Sequence, residues 1–203
     1  MELLRISGAE IYYEKRFLEE EEANQAFRNL FERCTWQRRM GPFGHPVPRD
    51  EAYYGDPETS YTYSKREYQP LPWIPELQSL RMRVQAATPS IAYENLGLAN
   101  TGYNAVLCNL YRTGMDSVGL HADAEPEMGP IIASVSLGQP RLFRLKKKKA
   151  GVVFSERLPN GSLLIMAGET QKRFVHEVLK EPEIQQPRIN LTLRHVQTGH
   201  RCE

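Results

Sequence analysis

From Tyr103 to Val196 the chain is a succession of short alternating runs broken by turn residues, and this pattern constrains the fold more than any other feature. The runs are YNAVLCNLYR (103–112), IIASVSLG (131–138), RLFRLKKKK (141–149), GVVFSERL (151–158), GSLLIMAG (161–168), KRFVHEVL (172–179) and RINLTLRHV (188–196). Their length and spacing predict the antiparallel strands of a sandwich or barrel. Two earlier stretches carry helical spacing instead. Residues 18–34 place Ala23, Phe27, Leu30, Phe31 and Cys34 on one face, behind glutamates that the helix dipole favours in a first turn. Residues 72–88 repeat the pattern with Ile74, Leu77, Leu80 and Val84 after an opening proline. Residues 35–72, rich in Gly, Pro and Tyr, predict hairpins and loops. The expected class is α+β, mainly β: helices first, then an antiparallel sandwich that the first 100 residues cover and decorate. At 203 residues the expectation is one domain, with an N-terminal region (1–100), a β core (101–196) and a tail (197–203).

Bulk properties narrow the function. The net charge of +1 excludes a whole-chain electrostatic grip on nucleic acid, so any such role rests on a local patch. The opening MELLRISGAEIYYEKRF lacks a basic stretch followed by an apolar run, so no signal peptide is expected. No stretch approaches the roughly 18 apolar residues of a membrane span. Cys34, Cys108 and Cys202 are odd in number and form no C-x-x-C pair, which argues against a disulfide framework or a cysteine zinc site. They fit a reducing compartment, the cytoplasm (or the nucleus of a eukaryotic cell).

Period-2 alternation sorts each strand into two faces. In LCNLYR, Leu107, Asn109 and Tyr111 share a face, opposite Cys108 and Leu110. In RINLTLR, Arg188, Asn190, Thr192 and Arg194 oppose Ile189, Leu191 and Leu193. Taken alone, that polar face reads as the solvent side of a sheet. Its company changes the reading. His121-x-Asp123 leads into one strand and His176 sits in a later one, giving two imidazoles and a carboxylate. Such a set leaves three adjacent positions of an octahedral Fe(II) open. The arginine pair follows His176, and a fixed guanidinium near a metal holds a carboxylate bidentately. Metal, open positions and a carboxylate clamp are what a 2-oxoacid co-substrate requires.

NLYRTGMDSVGLHADAEPEMGPIIASVSLG (109–138), His176 and PRINLTLR (187–194) together resemble the AlkB family of Fe(II)/2-oxoglutarate-dependent dioxygenases that repair alkylated nucleic acids. The resemblance spans roughly residues 47–196. It implies a double-stranded β-helix (jelly-roll) core with N-terminal helices and substrate-binding hairpins. It implies His121, Asp123 and His176 as iron ligands, with Arg188, Arg194, Asn190, Asn109 and Tyr111 around the 2-oxoglutarate. It further implies Fe(II), 2-oxoglutarate and O₂ as the reacting set. It implies that the alkyl group of a 1-methyladenine or 3-methylcytosine type base is hydroxylated, releasing formaldehyde and succinate. The partner it implies is alkylated DNA, single- or double-stranded, or RNA, and the protein is expected to be a monomer.

A target base is flipped out and held between flat groups. Tyr61 and Tyr63 of SYTYSK share a face, and Tyr63 aligns with the family's base-stacking aromatic, with His121 opposite. Read alone, both are ordinary sheet aromatics. Glu125 occupies the position where the family places an acidic substrate-contacting residue, suited to a cationic base; read alone, it is a solvated turn carboxylate. Arg49, Tyr54 and Asp56 of PRDEAYYGD resemble the pocket loop of the repair members. Phe43, between turn glycines, is a candidate intercalating wedge. Arg141, Arg144 and the Lys146–Lys149 run are either a solvated hairpin tip or a sequence-independent phosphate contact. Two rivals stand beside this reading: a 2-oxoglutarate hydroxylase of a protein or small molecule, and a non-catalytic reader of methylated nucleic acid, which predicts a damaged triad. A zinc deaminase is excluded, because H-x-E and P-C-x-x-C are both lacking.

Overall fold

In the computed structural model, which describes residues 1–41, 44–63, 66–96 and 102–197, two antiparallel sheets face each other. The larger runs β1 (Glu2–Leu3), β2 (Glu10–Glu14), β11 (Ser162–Ala167), β8 (Ile132–Gly138), β13 (Arg188–Arg194), β6 (Ala105–Tyr111) and β3 (Asp50–Gly55). The smaller runs β10 (Val152–Leu158), β9 (Arg141–Lys147), β12 (Phe174–Val178) and β7 (Val118–His121). This is the expected jelly-roll. A separate hairpin pairs β4 (Tyr61–Tyr63) with β5 (Arg66–Tyr68).

The first hundred residues do more than cover the sandwich. β2 pairs with β11, and β3 pairs with β6, so N-terminal segments extend the main sheet at both ends. EIYYE and DEAYYG are short and lie among turn residues, and pairing with a distant strand made them strands.

Helix α1 (Glu20–Arg33) forms where expected. Glu20, Glu21 and Glu22 meet its positive end, and Glu19 and Glu22 close a reciprocal capping box. Its buried Ala23 and Leu30 join Leu77, Leu80 and Val84 of α2 (Pro75–Ala87) and Ala92 and Tyr93 of α3 (Ser90–Glu94). These residues cover the outer face of the main sheet, meeting Cys108, Leu110, Val135, Ile189, Leu191 and Leu193. Gly138 lets α1 close: its φ is +79°, and a Cβ there would stand 2.8 Å from the Phe27 ring.

The helix layer decides which face of β13 is inside. Its apolar side is buried under helices, so the polar side turns toward the smaller sheet. At one end the sheets meet through Ile11, Ile132 and Leu164 against Phe143, Leu145 and Phe174. Elsewhere the space between them is lined by polar groups. Arg188 is 2% exposed and Arg194 is 4% exposed, so the arginine face lies in the interior and not in solvent.

Candidate metal centre

β12 pairs with β7 so that His176 stands directly across from His121. Their rings lie 4.2 Å apart. Asp123 follows β7 by two residues and folds back between them: Oδ1 is 3.9 Å from His121 Nε2, and Oδ2 is 3.7 Å from His176 Nε2. One ligand atom from each residue lies within 4.8 Å of the others, near enough for a single ion to take all three.

The electrostatics suit a cation. His121 Nδ1 is 2.8 Å from the Gly119 carbonyl. A carbonyl only accepts, so Nδ1 carries a hydrogen and Nε2 is the nitrogen left to face a metal. Burial, reinforced by His121, pushes His176 down to about 3, leaving a neutral imidazole able to donate. Burial pushes the Asp123 carboxyl up, but Arg194, His121, His176 and Arg49 outweigh it and hold it at about 2. It is therefore an anion. Arg194 Nη2 donates to Asp123 Oδ1 at 2.8 Å.

The polar face of β13 forms the floor. Cross-strand register sets Asn190 opposite Asn109 on one side and Ser136 on the other, and sets Arg188 beside Tyr111. Asn190 Nδ2 donates to Ser134 Oγ at 2.7 Å, and Thr192 Oγ1 donates to Asn190 Oδ1 at 3.1 Å. Arg188 Nη2 donates to Ser136 Oγ at 2.9 Å, while its Nε and Nη1 are buried without a hydrogen-bond partner. A guanidinium held out of water with donors unused costs several kcal/mol. An incoming carboxylate relieves that cost with two charge-assisted bonds. The donor set fits an iron, and the orphaned guanidinium fits an oxoacid.

His121, Asp123, His176, Asn109, Tyr111, Arg188, Asn190 and Arg194 line one cavity, joined by Arg49 and Tyr61. Arg49 Nε donates to Asn109 Oδ1 at 2.8 Å, and its Nη2 pairs with the buried Glu51 at 2.6 Å. Tyr61 is a wall. Its ring stacks on Tyr68 at 5.0 Å, takes Tyr53 edge-on at 5.2 Å, and its hydroxyl accepts from Arg194 at 3.4 Å. Glu125 is half-buried near Arg194, Asp123 and His121, and burial raises its pKa.

Two expected residues stand elsewhere. Tyr54 is on the helix side of β3 in the outer core, accepting the Thr35 N–H at 2.9 Å. Alternation sends its neighbours Glu51 and Tyr53 inward instead. Asp56 accepts from Trp73 Nε1 at 2.7 Å and pairs with Arg81 at 3.4 Å, outside the cavity lining. Tyr63 ends β4 opposite Arg66, and its side chain lies outside the described part. Phe43 lies outside the described residues.

In the lysine run, Lys146 pairs with Glu177 at 3.4 Å and Lys148 Nζ donates to the Lys172 carbonyl at 2.7 Å. Lys147 and Lys149 are exposed at the turn, and Lys149 has a φ of 63°. Arg141 is fully buried, donating to the Thr113, Gly114, Asp116 and Leu179 carbonyls, so it fastens loops and contacts no phosphate.

Residues unforeseen in the sequence include Glu51, Tyr68 and Phe143, whose ring lies 5.5 Å from that of His176. Reading DEAYYG as a strand would have put Glu51 on the face opposite Tyr54, and the pairing of β3 with β6 then sets it beside Asn109. Tyr68 and Phe143 had no local signal.

The family model described as the 2OG-Fe(II) oxygenase superfamily matches residues 10–194. Alpha-ketoglutarate-dependent dioxygenase alkB homolog 3 of Mus musculus is 38% identical over 195 residues, covering 89% of this chain and 64% of that protein. DNA oxidative demethylase ALKBH2 of Homo sapiens is 36% identical over 191 residues, covering 86% of this chain and 69% of that protein. The chain thus spans slightly under two thirds of the length of the alkB homolog 3 proteins it matches. The solved structure of OsALKBH1 superposes with a TM-score of 0.65 at 21% identity, over 95% of this chain and all of that one, a likeness of fold. The chain belongs to the 2OG-Fe(II) oxygenase superfamily and, within it, to the AlkB homologues.

Proposed function

We propose that the protein is an Fe(II)/2-oxoglutarate-dependent dioxygenase that demethylates N-alkylated bases of the 1-methyladenine and 3-methylcytosine type in DNA, with RNA as a second substrate. One observation carries the reading: a His-Asp-His set shares its cavity with a buried guanidinium whose Nε and Nη1 have no partner. The names of the alkB homolog 3 and ALKBH2 relatives support the class of reaction.

His121, Asp123 and His176 would hold the iron, and Arg188 would hold the distal carboxylate of 2-oxoglutarate. Bound together with O₂, they supply the oxidising chemistry that turns the oxoacid to succinate and CO₂ and inserts an oxygen atom into a methyl C–H bond. The resulting N-hydroxymethyl base then breaks down to formaldehyde and the repaired base. Tyr111 stands across from Arg188 and Asn109 across from Asn190 in the strand register, and together they would close that end. Arg194 keeps Asp123 ionised and turned toward the metal position. Tyr61 closes a side wall against water. Glu125, beside His121, offers negative charge to a base that alkylation has made cationic. The exposed Lys147 and Lys149 would meet the phosphate backbone without sequence preference. We place the protein in the cytoplasm (or nucleus) as a monomer.

The test mixes protein, Fe(II) and 2-oxoglutarate anaerobically with an oligonucleotide carrying one 1-methyladenine, then admits O₂. Loss of one methylene of mass with wild type and none with His121→Ala is the expected result. Succinate formed while the oligonucleotide stays intact would overturn the substrate. With neither product from iron-loaded protein, the enzyme reading fails.

A further inference from the structure

We infer that Gln171 is a positioning residue for the metal centre: it fixes the main chain of Asp123 to the segment that carries His176, and so sets how tightly the site holds a divalent ion. The inference rests on the metal reading above and concerns a residue outside the ligand set.

Asp123 and His176 reach the ion from different elements, so something must fix the distance between them. The Asp123 N–H is buried and donates to Gln171 Oε1 at 3.0 Å, across 48 residues of sequence. Gln171 is 6% exposed, and its Nε2 donates to Met166 Sδ at 3.3 Å, so both ends of the amide are engaged and its orientation is set. It belongs to the short helix α4 (Thr170–Arg173), which runs directly into β12 and His176. The amide therefore joins the backbone of one ligand to the element that leads into another.

The helix itself is latched from outside. Lys148 Nζ donates to the carbonyls of Lys172 and Gln171 at 2.7 and 3.4 Å, and the Lys148 N–H donates to the Arg173 carbonyl at 2.9 Å. Glu10 and Thr170 exchange two further bonds: the Glu10 N–H donates to Thr170 Oγ1 at 3.0 Å, and Thr170 Oγ1 donates to the Glu10 carbonyl at 3.3 Å. α4 is thus held on two sides while Gln171 points inward. Arg194 sets where the Asp123 carboxylate points, and Gln171 sets where its backbone sits. Removing the amide acceptor leaves the Asp123 N–H buried and unpaired, free to shift the carboxylate away from the histidines. Partners behind metal ligands commonly change affinity by 10- to 100-fold when lost.

The test uses Mn(II) as the probe, with affinity measured by calorimetry and by loss of the free-ion electron paramagnetic resonance signal. Gln171→Met keeps the side-chain volume and removes the acceptor; Gln171→Glu keeps an acceptor for the Asp123 N–H. Melting of each metal-free protein reports folding. The expected result is about a tenfold or greater loss of Mn(II) affinity in Gln171→Met, with wild-type affinity largely kept in Gln171→Glu. Wild-type affinity in folded Gln171→Met overturns the proposal, as does an equal loss in both variants. If Gln171→Met melts early, an affinity restored by Gln171→Glu without restored melting supports it, and the two recovering together overturns it. Wild-type protein that fails to bind Mn(II) sinks the metal reading itself, a separate outcome.

Discussion

Replacing Arg188 by methionine should weaken 2-oxoglutarate binding and, at the same time, leave the ligand-free protein as stable as before or more so. Arg188 is buried with Nε and Nη1 unpaired, and its Nη2 bond to Ser136 is a neutral-acceptor contact. Two charge-assisted bonds to a carboxylate are worth about 1.5–3 kcal/mol each, so their loss removes roughly 3–6 kcal/mol. At about 1.4 kcal/mol per decade, that weakens the co-substrate by roughly a hundred- to ten-thousand-fold. Without ligand the balance reverses. Exchanging a buried, poorly compensated charge for a packed apolar side chain stabilises by about 1–4 kcal/mol. The lost bond to Ser136 takes back about 1 kcal/mol. The melting temperature should therefore hold or rise by several degrees, at about 2–4 °C per kcal/mol for a domain of this size. Anaerobic calorimetry of metal-loaded protein with 2-oxoglutarate gives the first quantity, and scanning calorimetry without ligand gives the second. Unchanged affinity together with a lower melting temperature would refute the reasoning, since Arg188 would then be a structural cation.

Further outcomes follow from the same geometry. Tyr54→Phe should cost about 1 kcal/mol of stability through the lost bond from the Thr35 N–H, with turnover unchanged; a clear fall in kcat/KM at equal folding would return Tyr54 to the pocket. Leu191→Ala, fully buried beneath the helices, should cost about 2–5 kcal/mol in urea unfolding, and an unmoved midpoint would contradict the burial of that face. Metal-free protein should lose stability as pH falls. His176 sits at about 3 when folded against an ordinary 6.5, so the unfolded chain takes up the proton first and stability drains from near pH 6.5 toward 3. Asp123 adds a second loss between its ordinary 3.8 and its folded value of about 2. His176→Asn should flatten the upper part of that profile, and a slope identical to wild type would count against the buried neutral imidazole.

Alternation along a strand is local, so the order of residues alone shows which of them share a face: Asn109 with Tyr111, and Arg188 with Asn190 and Arg194. The spans of α1 and α2 were equally legible, because 3.6-residue spacing and an acidic first turn are properties of a few neighbouring residues, whereas the short α3 and α4 carried no such pattern. Tertiary structure decided which face is inside. The arginine face of β13, read alone as solvent-facing, is interior because α1 and α2 bury the opposite, apolar face. Pairing with distant strands drew EIYYE and DEAYYG into the main sheet, and the parity of β3 then sent Tyr54 toward the helices while its neighbours faced the cavity. The meeting of His121 with His176, and the bond from Asp123 to Gln171 across 48 residues, depend on strand register. β7 and β12 are not joined by a turn that could fix their register, so it follows from which faces of distant strands are buried together.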